Sequence, residues 1–124
     1  GVAFAVLDGG MHHHLAASGN LGQTIKRNFP LAVLNRLDAP VAGTFEITGP
    51  LCTPLDTLGR QVTMPSIEPG DLIGVLQAGA YARSASPTGF LSHPAPPEVL
   101  VEGATHRLVR RRGIAADLEQ DQLA

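Results

Sequence analysis

The sequence predicts an all-β domain of barrel or sandwich type, with a short helix near its C-terminal end. Two observations carry this. Seven short apolar or alternating runs recur along 124 residues, each bounded by Gly, Pro, Asn, Asp or Ser. Fourteen glycines and ten prolines stand against one tyrosine and four phenylalanines, a balance that favours short strands and tight turns. At 44% apolar and 16% charged residues, the chain reads as one ordinary soluble domain, residues 1–124, able to bury about two-thirds of its unfolded surface.

The elements follow in order. Val2 to Leu7 is an apolar run stopped by Asp8-Gly9-Gly10 and reads as a buried strand that delivers a loop. It has no basic flank, so it is no signal peptide and looks like a strand cut from something longer. Met11 to Ala17 could form two helical turns, ended by Ser18-Gly19-Asn20. His12, His13 and His14 within it are adjacent, and neighbours on a helix diverge by about 100°, so no metal site is assigned to them. They are expected on a polar helix surface, or with one facing an active-site mouth.

Leu31 to Leu37 and Ala42 to Thr48 read as two strands in a hairpin-like pair across Asp38-Ala39-Pro40. Leu58 to Met64 is the next strand, and Pro69-Gly70-Asp71 turns into a long one, Leu72 to Ala78. Glu98 to Val101 and His106 to Arg110 flank Glu102-Gly103-Ala104-Thr105 as a hairpin. Ile114 to Leu123 is expected to be a short, weakly amphipathic helix.

Charge and cysteine content exclude several classes. A net charge of −2 gives no broad attraction to nucleic acid or anionic membrane, and Arg110-Arg111-Arg112 reads as a solvated strand end or an interdomain contact. No apolar run approaches the ~20 residues of a membrane-spanning helix. One cysteine forbids an intrachain disulfide, which fits a reducing compartment.

That cysteine, Cys52, sits in Gly49-Pro50-Leu51-Cys52-Thr53-Pro54-Leu55-Asp56, a turn whose path two prolines and a glycine restrict. Two readings stand: a small cysteine packed by a turn, or a thiol presented to a substrate. A second stretch, Gly70-Asp71-Leu72 running to Gly79-Ala80-Tyr81, follows about twenty residues later. With Asp8-Gly9-Gly10-Met11 before them and Pro97-Glu98-Val99-Leu100-Val101 after, these motifs form an ordered set. The set resembles the fold-type III pyridoxal-phosphate decarboxylases, which include the ornithine, diaminopimelate and arginine decarboxylases.

The resemblance implies that the chain is the C-terminal Greek-key β-domain of a two-domain enzyme whose (β/α)8 domain is absent here. It implies a cytoplasmic homodimer acting on an amino acid, with the cofactor held covalently by a lysine outside this chain. The lone lysine, Lys26, lies in an irregular polar loop and reads as a solvated side chain, so the isolated domain is expected to be inactive. Cys52 matches the family's cysteine, which works in the other subunit's active site as proton donor. A thiol suits that role, since its ordinary pKa of about 8.5 keeps it protonated at neutral pH yet able to give the proton up. Tyr81 matches a tyrosine that meets the cofactor phosphate, with Gly79 and Ala80 small enough to allow close approach. Thr53 and Asp56 fall on the substrate side, Asp56 also serving to hold the turn or the interface.

Thr53 departs from the family pattern, standing where members with basic substrates carry Asp or Glu. His14 to Ser18 replaces the Arg-Pro stretch of the diaminopimelate branch, and Phe90-Leu91 replaces an aromatic-Asn pair. Loss of the acid at Thr53 and of the arginine together argues against diaminopimelate and weakens ornithine, lysine and arginine as substrates. The run from Met11 to Asn20 is most similar to the branch associated with bacterial exosortase and exopolysaccharide gene sets. Two other classes compete: a cofactor-dependent racemase, which lacks this Cys turn, and a non-catalytic β-barrel binding module, for which the chain offers few aromatic side chains.

Overall fold

The computed structural model describes residues 2–123. Its regular structure is strand and short 3-10 turn, in agreement with the all-β expectation. Three sheets account for the strands: β1-β3-β4, β2-β5 and β6-β7, and the described strands do not close into a barrel.

β1 (Ala3–Val6) pairs in parallel with β3 (Gly43–Thr48), from Ala3 opposite Phe45 to Val6 opposite Thr48. β3 pairs antiparallel with β4 (Thr57–Met64), with register shifts between Phe45 and Thr48. The connection from β3 to β4 is the Cys turn, closed at its neck by the Gly49 N–H donating to the Asp56 carbonyl at 2.9 Å. Parallel pairing brings the C-terminal ends of β1 and β3 to one edge of the sheet. The Asp8-Gly9-Gly10 loop and the Cys turn therefore emerge side by side.

Ala5, Ala17, Val33, Ile47, Leu58 and Met64 make the core, with Phe29, Leu31, Phe45 and Val75 packed around it. Ile47 is wholly buried, and burial of a side chain of that size contributes about 1.5–3 kcal/mol. β1 is not the buried strand its composition suggests: Ala5 faces inward, while Phe4 and Val6 alternate onto an exposed face. A cavity of about 840 Å³ opens beside them, between β1 and the turn entering β5.

The expected hairpin of 31–37 with 42–48 is not formed. β2 is only Leu31–Val33 and pairs antiparallel with β5 (Ile73–Val75). The chain leaves β2 in a 3-10 turn, Leu34–Arg36, whose side chains are captured by Asp71: Arg36 forms an ion pair with it, and Asn35 Nδ2 donates to it at 2.9 Å. The long strand expected over 72–78 is also shorter. It stops at Val75, because Gln77 takes a left-handed φ of 58° that no extended ladder accommodates. β6 (Glu98–Glu102) and β7 (Thr105–Arg110) form the expected hairpin. The C-terminal helix over 114–123 reduces to one 3-10 turn, Ala115–Leu118, since the segment has too few apolar residues on one face to pack a longer one.

Candidate functional site

The centre of the site is a buried carboxylate. Asp56 is only 2% exposed and lies between the two loops that parallel pairing brings together. One oxygen accepts the Met11 N–H at 2.6 Å; the other accepts the Leu51 N–H at 2.8 Å. A carboxylate satisfied by backbone donors holds a turn far more firmly than a neutral contact, about 1.5–3 kcal/mol per bond. Gly10 and Gly49 flank it closely. A Cβ at Gly10 would fall 2.4 Å from Asp56 Oδ1, and one at Gly49 would fall 2.2 Å from Oδ2. Both positions are glycine because the carboxylate occupies the space of a side chain.

Asp56, expected beside the substrate or at the turn, is thus turned inward, and turn-holding is the role its contacts support. Cys52 is exposed on the same turn. Thr53 is half-buried, its Oγ1 accepting the Leu55 N–H at 3.3 Å.

From Gly10 the chain runs back past the Cys turn through Met11 to Asn20. The expected α-helical turns are replaced by a turn and a 3-10 turn at Ala16–Ser18. This segment bridges the two motifs. On one side, Asn20 Nδ2 donates to the Leu55 carbonyl at 3.0 Å. On the other, the Leu15 N–H donates to Ser86 Oγ at 2.9 Å, and that hydroxyl donates to the Ala82 carbonyl, just after Tyr81. Gly79–Tyr81 is itself a 3-10 turn, with Gly79 at φ 58° and Tyr81 65% exposed. The cavity beside β1 includes neither Cys52 nor Tyr81.

The histidines are not a polar helix surface. His12 is fully buried, with neither ring nitrogen bonded among the described residues. Its ring lies 3.9 Å from that of His13 and 4.7 Å from that of His93, centre to centre. Burial, then repulsion from His13 and His93, pushes its pKa down to about 4 against a small opposing pull from Asp56. His13 is lowered chiefly by burial, although its Nε2 lies 3.4 Å from the Pro94 carbonyl. His14 is buried and lowered for the same reason, and its Nδ1 accepts the Ala17 N–H at 3.2 Å. All three favour the neutral imidazole. Among the described residues no group of three His, Cys, Asp or Glu side chains is placed to hold a metal ion.

Sequence reasoning missed the Gly10-Asp56-Gly49 packing, the Ser86 tether and the burial of His12. The glycines were a usable signal for the first, since glycines in both loops fit a close approach as well as a turn.

Residues 1–79 match the model of the pyridoxal-dependent decarboxylase C-terminal sheet domain. This chain belongs to that family. A protein of Niallia circulans, "L-glutamyl-[BtrI acyl-carrier protein] decarboxylase", is 44% identical over 99% of this chain and 29% of its own length. A diaminopimelate decarboxylase of Archaeoglobus fulgidus is 36% identical over 74% of this chain and 22% of its own length. The crystal structure of Helicobacter pylori diaminopimelate decarboxylase complexed with L-lysine superposes with a TM-score of 0.76 at 28% identity, over 94% of this chain and 27% of that one. The sheet domain thus spans less than a third of the length of these relatives.

Tyr81 fits a cofactor phosphate. Its phenol makes no hydrogen bond among the described residues, and a Cβ at neighbouring Gly79 would meet nothing within 4 Å. Lys26 does not fit a covalent cofactor anchor: its exposed ammonium donates to Asn20 Oδ1 at 3.1 Å.

Proposed function

We propose that this domain completes the active site of a pyridoxal-phosphate-dependent amino-acid decarboxylase, a cytoplasmic homodimer in which Cys52 is the proton donor. The observation that carries the reading is an exposed thiol on a turn clamped from behind by a buried, doubly bonded carboxylate. A general acid must keep its position while the substrate changes, and the Asp56 clamp supplies that rigidity without consuming the thiol.

When bound, the cofactor supplies the electron sink that lets the carboxylate leave as CO2. Cys52 then gives its proton to the substrate α-carbon, at the site formed with the other subunit. Tyr81 would hold the cofactor's phosphate group through a hydrogen bond from its phenol O–H, with Gly79 and Ala80 leaving room for the approach. The anchoring lysine lies in the (β/α)8 domain outside this chain.

Thr53 leaves the substrate's distal end without a carboxylate partner, so the favoured substrate lacks a distal ammonium. The Niallia relative supports this, since a glutamyl group, named as its substrate, has no distal amine. Family membership weighs against the racemase and binding-module readings, and the exosortase-associated branch is compatible with such a substrate.

The test is made on the full-length protein. Cys52→Ala should lower decarboxylation by ~10²–10⁴-fold while substrate binding is retained. Mixed with a variant lacking the cofactor lysine, it should recover part of the activity in heterodimers. Unchanged turnover in Cys52→Ala would remove the assignment; failed complementation would place each thiol in its own subunit's site. Efficient turnover of ornithine or lysine would refute the argument from Thr53.

A further inference from the structure

A second cavity, of about 730 Å³, lies between the segment 83–95 and the strand end Arg110–Arg111 with the 3-10 turn that follows. Cys52, Thr53 and Tyr81 do not line it. Two lining residues are joined across it, the Gly113 N–H donating to the Ala95 carbonyl at 2.9 Å. Arg83, Arg110 and Arg111 line it, against one lining carboxylate, Asp117.

The three arginines differ in what they have left to give. Arg111 is spent: its two Nη atoms donate to Asp117 at 2.8 and 2.6 Å. Arg110 donates Nε to Glu98 and keeps its terminal nitrogens. Arg83 forms no ion pair among the described residues, and its Nε is buried with no hydrogen-bond partner. A guanidinium held partly buried with no acceptor on any of its nitrogens is costly to leave unpaired, and Arg83 lines the cavity in that state.

Thr88 and Ser92 line the same cavity, and neither hydroxyl is engaged by another described residue. Leu91 and Ser92 hold left-handed φ values of 52° and 61°, which side chains rarely adopt. Strain of this kind persists where a local shape is needed, and here it shapes the turn that carries Ser92 along the cavity.

We propose that this cavity binds an oxyanion, the carboxylate or phosphate group of a small molecule, with Arg83 as principal donor. A guanidinium presents parallel N–H groups that match the paired oxygens of either anion. The Arg83 terminal nitrogens, engaged by no described residue, supply the charged donors, the Thr88 and Ser92 hydroxyls supply neutral ones, and Arg110 adds a further positive charge.

Isothermal titration of the full-length protein with inorganic phosphate and, separately, with glutarate tests this without reference to activity, so its failure leaves the decarboxylase reading standing. Saturable binding of one probe is expected, and which probe binds identifies the source of the oxyanion. Arg83→Gln should weaken it about ten- to a hundredfold with an unchanged melting temperature. No saturable heat from either probe, or equal affinity in Arg83→Gln, would overturn the proposal. Should Arg83→Gln fail to fold, Thr88→Val and Ser92→Gly decide it in the same assay. The second suits the left-handed backbone; weaker binding in either supports the site, and unchanged affinity in both overturns it.

Discussion

The two arms of the candidate site are held in opposite ways. The Cys turn is gripped by an ionisable group placed in its interior, with two glycines cleared to make room. The Gly79–Tyr81 arm stands largely in solvent and, among the described residues, the side chain that ties it to the Met11–Asn20 segment is one serine hydroxyl. A group that must deliver a proton to one atom needs a fixed origin. A phenol that meets a phosphate has a broad, multi-oxygen target and tolerates a looser support. The contrast is one of stiffness, and it can be measured.

Asp56→Ala should produce the largest effect. It strands the Met11 and Leu51 N–H groups, so unfolding in urea should show a loss of about 3–5 kcal/mol. Gly49→Ala, which drives a methyl into the same carboxylate, should fall in the same class. A loss below about 1 kcal/mol in both would break the comparison, because the grip would then lie elsewhere.

The next effect is a pH dependence from the bridging segment. With its pKa near 4 in the folded protein and 6.5 as an ordinary histidine, His12 takes up its proton first in the unfolded chain. Its contribution is complete above about pH 6.5 and is lost as pH falls toward 4, about 3 kcal/mol in all. Denaturant midpoints measured across that window should fall for the natural sequence. They should fall less steeply for His12→Phe, while His13 and His14, both lowered, leave a residual slope.

Ser86→Ala should cost about 1 kcal/mol and act on one arm only. Hydrogen exchange should quicken over residues 79–86 and stay unchanged over 49–56. Equal quickening in both would mean the arms move as one body. Thr53→Ala sharpens the other side: its long 3.3 Å bond to Leu55 lies at the surface, so stability should change by less than about 0.5 kcal/mol.

The motifs were legible because they combine rigid residues with reactive ones at fixed spacing, as in Gly49 to Asp56. The β6–β7 hairpin was legible because its turn and pairing are local. What escaped depends on distant partners. The β2 strand pairs with β5 instead of its neighbour because Asp71 captures the turn after it, some 35 residues away. His12 looks polar in the sequence, and it is the His93 ring, far along the chain, that helps bury it. The turn-holding role of Asp56 was legible in its motif, but its second donor was not, since Met11 lies 45 residues away.

The bond from the Met11 N–H to Asp56 joins positions 45 residues apart. No local stretch can make it, so the closure entropy of that long loop must be met by sheet formation before the carboxylate has its second donor. During synthesis and refolding, Cys52 therefore rides on a turn held only by its local bonds, from Gly49 and Leu51 to Asp56, until β1 has docked beside β3. The thiol acquires its fixed address late, as a product of assembly across the whole sheet.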